Sequence, residues 1–182
     1  MDEKITLRKA SPQDARFIAE NVLRALHIDE TDDSHIKHLA DISRREDTLY
    51  SWRNATIALY DGVPAGLMVA YDGARYRRMR DITFPMIRIY VGDDYHSMDD
   101  EACAGEYYLD SLAVLPGFRN RGIASALIRE MFRLRDEAGI PLATIAVDPD
   151  NGNAYRLYIK NGFRPDGHIT VFGTTYDRLV CP

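Results

Sequence analysis

The stretch from Glu106 to Val147 constrains the fold of this chain more than any other. Glu106–Leu115 reads as a strand, and Pro116-Gly117 breaks it. Gly122–Ala138 then reads as a helix, with Ile123, Leu127, Met131 and Leu134 recurring on its inner face. Gly139-Ile140-Pro141 stops that helix, and Ala143–Val147 is a short strand rich in β-branched residues. A strand, a loop, a helix and a second strand in this order belong to a sheet that helices cover.

The flanking sequence extends the pattern. Ile5-Thr6-Leu7-Arg8 alternates like a short strand. Ser11-Pro12-Gln13-Asp14 opens a helix, with Ser11 as its cap and Pro12 at its first position. Ala15, Ile18, Ala19, Val22, Leu23 and Leu26 supply the apolar face, and a second helix is expected over Ser34–Arg44. Ala55–Tyr60 and Ala65–Tyr71 read as strands joined by a hairpin at Asp61-Gly62-Val63-Pro64. Residues 72–105 begin basic, at Arg75, Arg77, Arg78 and Arg80. They end acidic, at Asp93, Asp94, Asp99, Asp100 and Glu101. Part of this insert reads as helix and its acidic part as a mobile loop. After Val147, Asp148-Pro149-Asp150 is a turn and Asn151 caps a helix to about Lys160. Asn161-Gly162 closes that helix, and His168–Phe172 with Thr175–Val180 make a last hairpin around Gly173. The expectation is a single α/β domain over residues 1–182, with an insert at 72–105. Its mixed, strongly twisted sheet has about seven strands and carries helices on both faces.

Composition narrows the function classes. The net charge is −5 over 182 residues, which argues against a nucleic-acid partner and suits a cationic one. No apolar run of membrane-spanning length is present. The two cysteines, Cys103 and Cys181, have no metal-type spacing, and the charged start does not read as a signal peptide. A cytoplasmic location is expected.

The loop between the Glu106 strand and the following helix has a chemistry of its own. In Arg119-Asn120-Arg121-Gly122-Ile123-Ala124-Ser125 the helix starts on small residues. Its first N–H groups have no partner within the helix, and its dipole favours an anion. Arg119 and Arg121 add positive charge. The segment can therefore cradle a diphosphate, although many helix N-termini with Gly and Arg bind nothing. A Walker loop is excluded, since no Gly-Lys-Ser/Thr follows. A dinucleotide fingerprint lacks its three glycines.

Arg119-x-x-Gly122-x-Ala124, after Leu112-Ala113-Val114-x-Pro116, resembles the signature of the GNAT acyltransferases. A second motif, Asn151-x-x-Ala154-x-x-Leu157-Tyr158-x-x-x-Gly162-Phe163, is similar to that family's downstream motif at every position. The resemblance spans nearly the whole chain except about residues 27–50 and 72–105. It implies acetyl-CoA as cosubstrate and direct acetyl transfer to a primary amine, on a small molecule or a protein. It further implies that Leu112, Ala113 and Val114 hold pantetheine through backbone groups. Arg119, Asn120, Arg121, Gly122, Ile123, Ala124 and Ser125 would hold the pyrophosphate, and Asn151 and Ala154 would lie against CoA. Their plain structural reading is sheet core for the first three, with Asn151 as a helix cap.

Acyl transfer needs a positioned thioester, a neutral amine and a protonated leaving group. Tyr158 is the candidate acid, because a phenol stays protonated at neutral pH. Helical spacing is expected to place Leu157 inward and to leave Tyr158 towards CoA. For the base, some relatives in that family carry a Glu five positions before the conserved Asn, where this chain has Ala146. Glu106 and Asp110 lie four apart on one strand face, Asp110 nearer the reacting centre, and either could take the amine's proton. A structural, hydrogen-bonded Asp110 is the competing reading, and Asp148 reads as a turn former. Among His27, His35, His38, His96 and His168, only His35 and His38 have a ligand-like spacing. No acidic or cysteine partner supports them, so no metal is expected. The 72–105 insert is expected to cover the acceptor site, its acidic end drawing a cationic amine. A non-catalytic acyl-CoA-binding module is the alternative, and a homodimer is compatible with either.

Overall fold

In the computed structural model, residues 4–26, 32–91 and 98–182 are described. His27, His96, Asp93 and Asp94 lie outside them. The opening alternation forms β1 (Ile5–Lys9), and a single 3-10 turn at Pro12–Asp14 leads into α1 (Ala15–Ala25). Asp14 fastens this start. Its Oδ2 accepts from the Ser11 N–H and hydroxyl, each at 2.8 Å, and Arg8 donates to both its oxygens at 2.7 and 2.8 Å. These bonds hold the Asp14 carboxyl well below the usual carboxylate range, the Arg8 bond being the largest cause. The α1 stripe buries Ala15, Ile18, Ala19, Val22 and Leu23, whereas Leu26 lies beyond the helix and is exposed. Helix α2 (Asp33–Ser43) is capped by Asp32, whose side chain accepts from the N–H groups of Ser34 and His35.

Strands β2 (Ala55–Tyr60) and β3 (Val63–Asp72) meet across Asp61-Gly62, with Tyr60 opposite Val63. Both turn residues have positive φ, 49° and 80°, the left-handed pair that matches strand twist. The last hairpin uses the same solution. Phe172 and Gly173, at φ 49° and 76°, join β6 (Arg164–Val171) to β7 (Thr174–Cys181). Between the hairpins lie α3 (Tyr76–Val91), β4 (Glu106–Val114), α4 (Ile123–Glu137), β5 (Leu142–Val147) and α5 (Gly152–Lys160). The sheet has seven strands in the order β1-β2-β3-β4-β5-β7-β6. It is mixed: β4 and β5 are parallel, while β1–β2, β2–β3, β5–β7 and β6–β7 are antiparallel. Parallel pairing of β4 with β5 runs from Glu106 opposite Leu142 to Tyr108 opposite Thr144, although β5 continues to Val147.

Chain contacts define two compact units, Met1–Ala70 with Ser111–Arg129 and Tyr71–Asp110 with Glu130–Pro182. The first is built on Ile18, Val22, Leu39, Ile57, Leu67 and Leu127, all within 2% of full burial. The second buries Tyr71, Tyr76, Phe84, Leu109, Met131 and Leu179 to the same degree. Each such side chain removed from water contributes about 1.5–3 kcal/mol. No helix among the described residues is long and apolar enough to cross a membrane.

The expectation of a mobile acidic loop is corrected for the described residues 98–105. Asp99 and Thr170 exchange two hydrogen bonds, Asp99 N–H to the Thr170 carbonyl at 2.9 Å and Thr170 N–H to Oδ2 at 2.7 Å. Asp100 accepts from Arg77 and Arg80, each at 2.6 Å. Asp100 of the acidic end thus pairs with Arg77 and Arg80 of the basic end. The backbone is equally close: a Cβ on Gly73 would stand 2.3 Å from the Cys103 carbonyl oxygen.

Candidate active site

The first unit carries the strand–loop–helix segment. Ala113 is buried, and Leu112 and Val114 are half-buried. The Leu115 N–H donates to the Ala65 carbonyl at 2.9 Å, which ties the end of β4 to β3. Asn120 and Gly122 both have positive φ, 60° and 80°. This backbone turns the chain into α4, whose ladder starts with the Ala126 N–H donating to the Gly122 carbonyl at 3.0 Å. The N–H groups of the first turn, from Gly122 onward, therefore precede the ladder. Among the described residues, and leaving out its chain neighbours, nothing lies within 4 Å of where a Gly122 Cβ would stand. Arg119 is exposed, and its Nε donates to the Val114 carbonyl at 3.4 Å. Arg121, also exposed, lays its guanidinium over the Tyr60 ring at 4.9 Å and near the Phe118 ring at 5.9 Å. Ile123 is buried, while Ala124 and Ser125 are half-buried at the helix mouth.

The second unit carries the groups with acid–base chemistry. Asn151 caps α5, its Oδ1 accepting from the Ala154 N–H at 3.1 Å. Tyr158 corrects an expectation: it is buried, and Leu157 is the half-buried neighbour. The cause is aromatic packing, for Tyr158 meets Phe163 edge-on at 5.7 Å and Phe163 meets Phe132 at 5.5 Å. Burial pushes the Tyr158 phenol up, so it stays protonated throughout the neutral range. Asp148 closes a turn, accepting from the Asp150 N–H at 2.8 Å.

Glu106 and Asp110 share β4 but have different surroundings. Glu106 is 7% exposed. Its Oε1 accepts from Arg178, and its Oε2 accepts from the Cys103 N–H at 3.2 Å and the Thr144 hydroxyl at 3.5 Å. Asp110 is half-buried and accepts at Oδ2 from the Tyr71 hydroxyl at 2.8 Å. A third carboxylate, which the sequence reading did not single out as catalytic, stands in the same unit. Glu101 accepts from the Tyr76 hydroxyl at 3.1 Å and from the Tyr108 hydroxyl at 2.8 Å. Burial, with the Asp110 charge as the second cause, raises its carboxyl to about 7. Its partners lie 25 and 7 residues away in sequence, so no local motif marks it. His35 pairs with Asp32 at 3.7 Å, and no metal-holding cluster occurs among the described residues.

Residues 20–163 match the model of the acetyltransferase (GNAT) family. This chain belongs to that family. It is an acyltransferase that moves an acetyl group from acetyl-CoA to an amine. Solved structures share the GNAT fold over the full length. An N-acetyltransferase from Staphylococcus aureus Mu50 is 21% identical, with a TM-score of 0.78 over 96% of this chain and 99% of that one. The PaiA N-acetyltransferase from Thermoplasma acidophilum, in complex with coenzyme A, is 14% identical, with a TM-score of 0.59 over 97% and 98%. Arabidopsis thaliana Naa50, in complex with the bisubstrate analogue CoA-Ac-MVNAL, is 15% identical, with a TM-score of 0.61 over 98% and 99%. No curated protein matches the chain at a significant level.

Proposed function

We propose that this GNAT enzyme works as one domain and holds the acetyl-CoA pyrophosphate at Arg119–Ser125. The observation that carries this reading is the left-handed backbone at Asn120 and Gly122, with open space where a Gly122 side chain would be. First-turn N–H groups at Gly122, Ile123 and Ala124 donate to the phosphates, and Arg119 adds charge. Arg121 contributes a cation already oriented by Tyr60 and Phe118. Leu112, Ala113 and Val114 offer pantetheine their main chain, and Asn151 and Ala154 present the start of α5.

The amine attacks the thioester directly in a ternary complex. Tyr158 supplies a proton to the departing CoA thiolate, a role that suits a phenol kept protonated by burial. The proton that the amine must lose goes to a carboxylate of the cluster that includes Asp110, which is half-buried and accepts from the Tyr71 hydroxyl. Glu106 has its oxygens engaged by Arg178, Cys103 and Thr144 and holds β4 to β5 and β7 in place of acting as base. The acceptor is a small-molecule or protein amine, and the two free thiols suit the cytoplasm.

The test is thiol release from acetyl-CoA with a panel of amines and of peptides with free N-termini. Turnover that requires both acetyl-CoA and the amine supports the reading. Tight acetyl-CoA binding with no turnover on any amine would favour a non-catalytic acyl-CoA-binding module.

A further inference from the structure

Three buried tyrosines of the second unit aim their hydroxyls at two carboxylates. Tyr76, on α3, and Tyr108, on β4, donate to the two oxygens of Glu101 at 3.1 and 2.8 Å. Tyr71, at the end of β3, donates to Asp110 at 2.8 Å, and its ring lies 5.8 Å from that of Tyr108. The tyrosines are at most 2% exposed, whereas Glu101 and Asp110 are half-buried residues. We propose that Glu101, with Asp110 as its partner carboxylate, is the group that takes the proton from the acceptor's ammonium. This rests on the acetyl-transfer reading above and adds a catalytic residue to it.

The arrangement decides which group titrates. Facing Glu101 are Tyr76 and Arg80 from α3, Tyr71 from β3, Tyr108 and Asp110 from β4, and Tyr176 from β7. All four phenols are raised by burial, so they remain donors and cannot serve as bases at neutral pH. Arg80 is shared with Asp100 and Asp81, so its charge is largely spent outside this cluster. Two carboxylates in one low-dielectric cluster do not both ionise readily, and burial with the Asp110 charge places Glu101 at about 7. A base in that range is half ionised at neutral pH and still accepts a proton.

The step balances. The ammonium R–NH3+ gives one proton to the Glu101 carboxylate, which leaves R–NH2 and a neutral carboxylic acid. The amine lone pair forms the N–C bond, the C–S bond breaks, and its electron pair leaves on CoA sulfur. That thiolate takes a proton from the Tyr158 hydroxyl, and the nitrogen's remaining excess proton restores the phenol through water. Glu101 returns its proton to solvent.

The experiment follows kcat/KM for thiol release against pH in the full chain, as wild type, E101Q and D110N. The acceptors are 1,4-diaminobutane, lysine and a tetrapeptide with a free N-terminus, and the fastest is used throughout. Acetyl-CoA affinity is measured in parallel. The wild-type profile is expected to rise through about 7. E101Q is expected to lose about 100-fold at neutral pH and to recover as pH approaches the amine's own pKa, with acetyl-CoA affinity unchanged. A weakly basic acceptor such as 2,2,2-trifluoroethylamine, already neutral, should be nearly indifferent to E101Q. A merely structural Glu101 would slow both amines alike. An E101Q profile identical to wild type overturns the proposal. Should E101Q fold poorly, Y108F replaces it: losing a hydrogen bond that lowers the Glu101 carboxyl should move the wild-type inflection upward, and an unmoved inflection overturns the assignment. Should no acceptor turn over, carbon-13 titration of the glutamate carboxyls decides. A group titrating near 7 that is missing in E101Q supports the proposal, and its absence in wild type overturns it. Failure of the wider reading shows separately, as wild type that does not bind acetyl-CoA.

Discussion

Tyr158 joins a ring packed against Phe163 to a phenol that burial keeps protonated. Substituting Phe keeps the packing and removes the proton. We expect Tyr158→Phe to lower kcat about 10–100-fold while acetyl-CoA affinity stays within about twofold, measured by steady-state kinetics and calorimetry. Equal losses in both would assign Tyr158 to binding. At this scale the sequence spoke through spacing. The motifs around Gly122 and Tyr158 were legible because each lies on one continuous loop or helix. Which way Tyr158 faces was not, because Phe163 follows the helix and Phe132 belongs to another one. Glu101 was illegible as a base, because its tyrosine partners come from α3 and β4 and meet only in three dimensions.

Elements whose ends carry turn chemistry were readable. Asp61-Gly62 and Phe172-Gly173 set two hairpins through positive φ, and Ser11 with Asp14 set the start of α1. Asp14→Ala should destabilise the chain by about 1–2 kcal/mol in chemical denaturation, the usual cost of losing such a cap. The Asp14 carboxyl is lowered in the fold, so its contribution is present above the ordinary Asp range and fades as pH falls through it. The variant should therefore converge on wild type in acid. Within residues 72–105 the fastening of the acidic end depends on Asp100 reaching back to Arg77 and Arg80. Gly73 matters here for space and not for φ. Gly73→Ala must push the Cys103 backbone away, since its Cβ would stand 2.3 Å from a carbonyl oxygen. We expect a stability loss of about 1–3 kcal/mol, read from the denaturation midpoint. Wild-type stability in this variant would show that the segment near Cys103 yields freely.

At the level of the whole molecule, the seven-stranded mixed sheet was legible from element order alone, since alternating strands and helices leave few arrangements. The division into two compact units was not, because β3, β4 and α4 each contribute residues to both. Global stability reports on the buried carboxylate as well. Glu101 is raised in the fold, so between its ordinary range and about 7 the native state binds the extra proton. Stability should fall with rising pH across that window and level off above it, and E101Q should remove that slope. The central claim, however, is that the Gly122 loop holds acetyl-CoA, and calorimetric titration of acetyl-CoA into wild type and Gly122→Trp tests it most directly. Wild type is expected to bind, and a variant whose melting temperature shows it folded is expected not to. A folded Gly122→Trp that binds as tightly as wild type, or a folded wild type that does not bind, would contradict it.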